Sequence, residues 1–446
     1  MDVAQLRSRV SKGMEDSRAD LENLVRIPSV SLPGFDQASA RKAAKAVVEI
    51  LKGCGVTNAH LVEVPDGNPI VFGDVDGPKG SPTVMLYSHY DVQTPGPEDT
   101  WDSPAFEPTL RHGRLYGRGA ADDKSGIITH VSALKAFDGK PPVNVKVVFE
   151  GEEETDSHLD HYVLDNPDQF QADVIVIGDT GNWKVGEPTL TTTLRGVATC
   201  VVEVKTLAAP VHSGMFGGPA PDALVVLIHL LSRLHDKDGN TDIEGVPQGH
   251  WTGLNFPEDV YRETAGVLPD VPLIGDGTIS DRLWSSPSAT VLGIDAPAVE
   301  GAPNALIPEA RAIVSLRIPP GIKALEARAL LAHHLMESAP WGVKATVTGA
   351  QSEPSFAAET DGPAYECAMH AMKQAYGKEA VLMGQGGSVP LVSNLAQVAP
   401  QAEIILWGAE DGDCAMHSPN ESVDLGELER CILAEALLLE HLSQKS

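Results

Sequence analysis

Two histidines and a set of carboxylates stand in this sequence at the places where apolar runs stop. TVMLYSHYD (83–91) ends in His89-Tyr90-Asp91, NVKVVFEGEEE (144–154) in Glu152-Glu153-Glu154, and ADVIVIGD (172–179) in Asp179. A fourth run, AEIILWGAEDGD (402–413), opens a loop that reaches His417 in AMHSPNE, and the glycine-rich turn LYGRGAADDKSG carries Asp122 and Asp123. One acid at a strand end is an ordinary loop residue or helix cap. Many carboxylates converging without a basic partner repel one another and raise each other's pKa, unless cations sit among them. Imidazole with carboxylate and no thiolate suits zinc, manganese or cobalt better than calcium or magnesium. Five ligands with one carboxylate shared would fill two sites and leave room for a bridging water. Two ions about 3.5–4 Å apart lower the pKa of such a water and polarise a carbonyl, which is hydrolytic chemistry.

For these residues to meet, the runs that carry them must be neighbouring strands. Each begins with β-branched and aliphatic residues and reads as a buried strand. Helical patterns lie between them, at 40–52, in SGIITHVSALKAF (125–137) and in AYECAMHAMKQAYG (364–377). Strands alternating with helices predict an α/β layer with a mostly parallel mixed sheet flanked by helices, and open sheets of that kind bind ligands at the carboxyl ends of their strands.

The middle of the chain reads differently. TTTLRGVATCVVEVKT (191–206), ARAIVSLRIPP (310–320) and GVKATVTG (342–349) alternate polar and apolar residues as half-exposed strands do, around the apolar helix candidate DALVVLIHLLSRLH (222–235). An α+β domain at 192–355, inserted into a discontinuous domain made of 1–191 and 356–446, is the expected organisation. The long stretch 245–305 is expected to pack on the insert.

The chain of 446 residues carries 62 acidic against 33 basic residues, a net charge of −29. That field disfavours nucleic acid and anionic membrane surfaces as partners and attracts cations. No run approaches the roughly 20 apolar residues of a membrane span, and the charged N-terminal stretch lacks the apolar core of a secretory signal. Five scattered cysteines without a CxxC pair fit a reducing cytoplasm.

Taken in order, His-x-Asp at a strand end, GRGxxDDK, EGEEE, Asp179 in VIGDTGN, VHSGMFGG (211–218) and the late histidine of MHSPNE resemble the two-zinc metallopeptidases. That family includes carnosinase, the cytosolic non-specific dipeptidase, aminoacylase, carboxypeptidase G and the acetylornithine deacetylase branch. The resemblance spans nearly the whole chain, and the ordered set is far more specific than any one motif.

The resemblance implies two divalent ions per subunit, zinc first, held by His89, Asp122, Glu154, Asp179 and His417, with Asp122 bridging. On the family's usual pattern Glu154 shares a metal with His89, and His417 with Asp179. Glu153 would be the general base that moves the proton of the bridging water to the leaving amine, and Asp91 would orient the imidazole of His89. The family often holds the bond between the two acids of DDK in cis, so a cis Asp122–Asp123 bond is expected. Ser125 replaces the commoner glycine and is expected to cap the following helix. Asp156 replaces the usual glycine after the glutamates.

The insert would act as a lid and dimer interface. By the same resemblance His212 would stabilise the oxyanion, reaching in from the neighbouring subunit, while Asn304 and Arg317 would hold substrate. Gly386, Gly387 and Ser388 in GQGGSVP would cradle its carboxylate. HSGMFGG with EGEEE looks like the dipeptidase branch, so the expected substrate is a dipeptide with a free C-terminal carboxylate. Ala364 stands before Tyr365 where carnosinase-type enzymes carry a histidine, which favours a broad or differently tuned enzyme; Cys-Gly remains open as substrate. The alternatives are an N-acyl-amino-acid amidohydrolase and, from another class, a non-catalytic metal-binding module. The latter is disfavoured because no ligand or base is missing.

Overall fold

The computed structural model describes residues 1–445, which form two compact units. The first comprises Met1–Thr192, Ala358–Met383 and the stretch from Leu391 onward; the second comprises Thr193–Ala357 and Gly384–Pro390.

The first unit is built on a mixed sheet. Its strands run in the order His60–Val62, Ile70–Val75, Asn144–Glu150, Thr83–His89, Val174–Ile177, Glu403–Leu406, Thr189–Leu194. The four central strands, Asn144–Glu150 through Glu403–Leu406, are mutually parallel, and antiparallel pairings flank them. Parallel strands are buried on both faces, which is why VIVI and EIIL carry almost no polar residue. All four therefore end at the same edge, where His89 closes its strand and the following loops carry Glu152–Glu154, Asp179 and Glu410.

Helices cover this sheet through apolar stripes. Gln37–Gly53 buries Ala40, Ala43, Ala44, Val47, Val48 and Leu51 at helical spacing and packs on Ile70–Val75. Lys124–Lys135 is buried along most of its length between the strand Thr83–His89 and the helices Val3–Val25 and Leu425–Gln444. An all-round buried helix is apolar by necessity, yet this one carries His130. Its Nδ1 meets the Glu435 carboxylate at 2.9 Å and its Nε2 meets Tyr87 O at 2.9 Å, so both ring nitrogens are satisfied.

The second unit has a four-stranded antiparallel sheet in the order Ser288–Asp295, Glu309–Ile318, Gly196–Lys205, Ala345–Glu353. Two helices, Ala223–Leu231 and Ala324–Glu337, pack on it and close a separate core around Val202, Val226, Leu227, Val314 and Leu331. The segment Gly384–Pro390 belongs here by its contacts, whereas the sequence boundary at 356 assigned it to the discontinuous domain. The reason is local: Arg195 N donates to Gln385 O at 3.1 Å, and the Ser388 hydroxyl donates to Glu353. No helix among the described residues is long and apolar enough to cross a membrane.

Replacing Glu435 by Ala removes the carboxylate partner of a fully buried histidine. The expected cost is about 3–5 kcal/mol, read as a lower midpoint in denaturant monitored by tryptophan fluorescence.

Candidate metal centre

His89 closes its strand fully buried. Its Nδ1 lies 3.0 Å from Asp91 O and 3.3 Å from Asp91 Oδ1, which fixes the ring and turns Nε2 toward the acids. Nε2 is 3.0 Å from Asp122 Oδ1 and 3.7 Å from Asp179 Oδ1. From the other side, His417 Nε2 is 3.0 Å from Asp122 Oδ2 and 3.2 Å from Glu154 Oε2. Asp122 thus presents one carboxylate oxygen to each histidine, as a bridging ligand does.

These contacts group the ligands differently from the pairing the resemblance implied. His89 stands with Asp123 and Asp179, and His417 stands with Asp122 and Glu154; in each group the ligand atoms lie within 4.8 Å of one another. Strand order brings both candidates for His89 near, because Thr83–His89 pairs with Asn144–Glu150 on one side and Val174–Ile177 on the other, and the loop conformations decide between them. Thr83–His89 and Val174–Ile177 are hydrogen-bonded neighbours, so His89 and Asp179 leave adjacent strand ends, whereas Glu154 and His417 both arrive on loops.

The supporting contacts are dense. Asp91 accepts the Ser31 hydroxyl at 2.6 Å and the backbone N–H groups of Glu153 and Glu154 at 3.2 and 3.1 Å. It therefore orients His89 and anchors the glutamate loop at once. Glu152 is turned elsewhere, toward Asn68 N and His158. The Asp122–Asp123 bond is cis. Asp123, and not Ser125, caps the helix Lys124–Lys135: its Oδ1 accepts Gly126 N at 3.1 Å, while the Ser125 hydroxyl donates back to Ala121 O at 2.7 Å. The other Asp123 oxygen accepts His89 N at 3.2 Å. Lys124 is buried with its ammonium on the carbonyls of Leu24 and Ile27, so it does not neutralise the acids beside it.

Sequence reasoning missed two carboxylates. Glu421 accepts the N–H groups of Ala121 and Asp122 at 3.0 and 3.1 Å and pairs with buried Arg118 at 2.6 Å, holding the backbone at Asp122. The signal was present, since both residues lie in the quoted motifs GRG and MHSPNE. Glu410, 4% exposed, forms a third ligand group with Asp122 and Asp179; its place in the run WGAEDGD, just past a strand, could have marked it.

The electrostatics fit a divalent ion. Burial pushes the carboxyl groups of Glu153, Glu154, Asp179 and Glu410 above the usual range, and neighbouring acids, Asp179 for Glu153 and Glu410 and Asp122 for Glu154, push the same way. Burial disfavours a charged His89, but Asp122 and Asp179 outweigh it and hold its pKa well above the ordinary value. His417 is raised to about 10, first by Asp122 and then by Glu154. Glu154 Oε1 is buried without a hydrogen-bond partner. Cations placed in these groups would satisfy that oxygen and replace the protons on both histidines.

The remaining sequence candidates belong to the second unit. His212 is exposed in the short strand Val211–His212, paired with Ala305 of Ala305–Leu306, and Ser213 N donates to Asn304 O at 3.0 Å, so His212 and Asn304 are brought together. Gly214 N donates to His212 Nδ1 at 3.1 Å, which leaves the ring proton of the neutral form on Nε2. Arg317 sits in the strand Glu309–Ile318 opposite Val197. Gly386 lies beside Arg195, Gly387 follows it in the same loop, and the Ser388 hydroxyl donates to Glu353.

With a mixed sheet and an acid-histidine cluster at its strand ends, the chain has the build of a metal-dependent hydrolase. It belongs to the family described as Peptidase family M20/M25/M40, which it matches over residues 85–441. A cysteinylglycine-S-conjugate dipeptidase of Corynebacterium striatum is 39% identical over 407 residues, covering 89% of each chain. The human Beta-Ala-His dipeptidase is 27% identical over 441 residues, 91% of this chain and 85% of that one. Among solved structures, the dipeptidase Dug1p of Saccharomyces cerevisiae superposes with a TM-score of 0.82 at 22% identity over 99% of both chains.

Since the histidines hold protons that a metal must displace, metal binding should release protons and strengthen as pH rises. The expected change is roughly tenfold in affinity per pH unit for each proton displaced. Calorimetric titration in two buffers of different ionisation heat counts those protons, and a buffer-independent heat would contradict the assignment.

Proposed function

We propose that this protein is a metal-dependent dipeptidase that hydrolyses dipeptides bearing a free C-terminal carboxylate. The observation that carries this reading is Asp122, whose two oxygens are addressed by His89 and His417 from opposite sides. His89, Asp122, Glu154, Asp179 and His417 are proposed to hold two divalent ions, with Asp123 and Glu410 as neighbouring acids. The donor set of imidazole and carboxylate favours zinc, then manganese or cobalt. When bound, such a pair supplies an acidified water and polarises the scissile carbonyl.

Glu153 is proposed as the residue that takes the water's proton on its carboxylate and delivers it to the leaving nitrogen. Its backbone N–H on Asp91 couples the position of the base to the ring orientation of His89. His212, with its Nε2 proton available, would donate to the oxyanion. Peptide substrates are favoured over N-acyl amino acids by the dipeptidases among the relatives.

A homodimer through the second unit is supported by exposed apolar residues on two of its elements. They are Val225 and Ile228 of the helix Ala223–Leu231, and Leu292 and Ile294 of the edge strand Ser288–Asp295. An edge strand with a bare apolar row is a ready surface for pairing with another chain.

Stripped of metal, the protein should lose turnover of dipeptides and regain it with zinc, manganese or cobalt; preference for N-acyl amino acids in the same panel would overturn the dipeptidase reading. Glu153→Gln should keep both metal equivalents and lower kcat by about 100-fold or more, measured by metal analysis beside steady-state rates. If His212 serves the neighbouring subunit, mixing inactive His212→Ala and Glu153→Gln proteins should restore activity, and mixtures that stay inactive would exclude sharing.

A further inference from the structure

The loop that carries Glu153 and Glu154 is closed at its neck by a carboxylate that belongs to none of the metal-ligand groups. It leaves the strand Asn144–Glu150 and enters the helix His158–Asp165, and Glu150 and Ser157 stand at its two ends. Glu150 is buried, and its Oε2 accepts the Ser157 hydroxyl. The same hydroxyl accepts the N–H of Leu159 at 3.1 Å, so it closes the loop and caps the helix together. The other oxygen of Glu150, Oε1, accepts the Tyr87 hydroxyl at 2.5 Å. Tyr87 is fully buried on the parallel neighbouring strand, two residues before His89.

The main chain follows the same path. Tyr90 N donates to Glu150 O at 2.8 Å. Gly151 rests against the Tyr90 ring, where a Cβ would run into the phenol, so the turn out of the strand needs a glycine. At the far end of the loop Asp91 accepts the N–H groups of Glu153 and Glu154. Neck and tip are therefore both tied to the segment that carries His89.

The two glutamates do not depend on these ties equally. Glu154 is also held at its carboxylate, by Gln93 Nε2 at 3.2 Å and His417 Nε2 at 3.2 Å. Among the described residues the Glu153 carboxylate has no hydrogen-bond partner, so its place follows from the course of its main chain. A buried polar network whose members are satisfied gives that main chain one shape.

We propose that Glu150 is a positioning residue for Glu153: clamped between Tyr87 and Ser157, its carboxylate fixes the neck of the loop and thereby the reach of the base toward the metal centre. The role of Glu153 rests on the dipeptidase reading, whereas the clamp does not. A misplacement of about 1 Å can cost about 100-fold in rate while leaving substrate binding alone.

The test uses the metal-loaded protein and a dipeptide. Tyr87→Phe removes one hydroxyl of the clamp and keeps both the ring and the helix cap. It should lower kcat by about tenfold or more, with KM and the metal content unchanged. Ser157→Ala should act in the same direction, and Ser157→Thr should recover the loss. Glu150→Ala should cost more than either, and Glu150→Gln, which can accept from one hydroxyl and donate to the other, should recover part; the hydroxyl variants serve if Glu150→Ala does not fold. Wild-type kcat in folded Tyr87→Phe, or a loss of kcat matched by a loss of metal, would overturn the proposal.

Amide hydrogen exchange on the same proteins reads the clamp without turnover. Peptides covering 151–157 should exchange about tenfold faster in Tyr87→Phe, while those covering 174–177 keep the wild-type rate. Unchanged exchange in the loop would overturn the clamp. Faster loop exchange in the variant of a protein that hydrolyses no dipeptide would refute the dipeptidase reading and leave the clamp standing.

Discussion

Repulsion among buried carboxylates is the constraint that organises the first unit. Asp122, Glu153, Asp179 and Glu410 raise one another's proton affinity, or would do so without the histidines between them. Left to itself such a cluster would open into water. It is held by neutral donors: backbone N–H groups on Asp91, on Asp123 and on Glu421. The burial of those supports, and of the Arg118–Glu421 pair that reinforces them, gives the acids a rigid mounting.

The same device has an opposite-sign counterpart in the second unit. There the buried Arg195 guanidinium has only backbone carbonyls beside it. Preorganisation of this kind trades stability of the free protein for affinity, because the solvation of the charged groups has been given up before binding begins.

Much of this was legible in the sequence. The strands at 83–89, 144–150, 174–177 and 403–406 follow from apolar runs that are buried on both faces, and the acids at their ends follow from the edge at which parallel strands finish together. The cis bond at Asp122 was carried by family resemblance and is present. What was illegible depends on strand order and on loop conformation. The strands before Glu154 and before Asp179 both flank that of His89, so only the loop conformations, which spacing does not show, decide which acid stands with which histidine. Ser125 was taken for a cap because hydroxyls often cap; the turn instead lets Asp123 reach Gly126, and a carboxylate two residues earlier wins the N–H. The burial of Arg195, with its Nε unpartnered, is a tertiary property that the sequence does not display.

The strand Glu403–Leu406 lies inside the first unit's sheet, between Val174–Ile177 and Thr189–Leu194, yet it is made after the whole of Thr193–Ala357. On the ribosome, Val174–Ile177 therefore emerges with one side unpaired and waits while the second unit, which is nearly continuous in sequence, is completed. The nascent chain gains His417 only after that strand has arrived. Of the five residues proposed to hold metal, one imidazole and three acids (His89, Asp122, Glu154, Asp179) are made before the last central strand, and the set is complete only when the loop after that strand arrives.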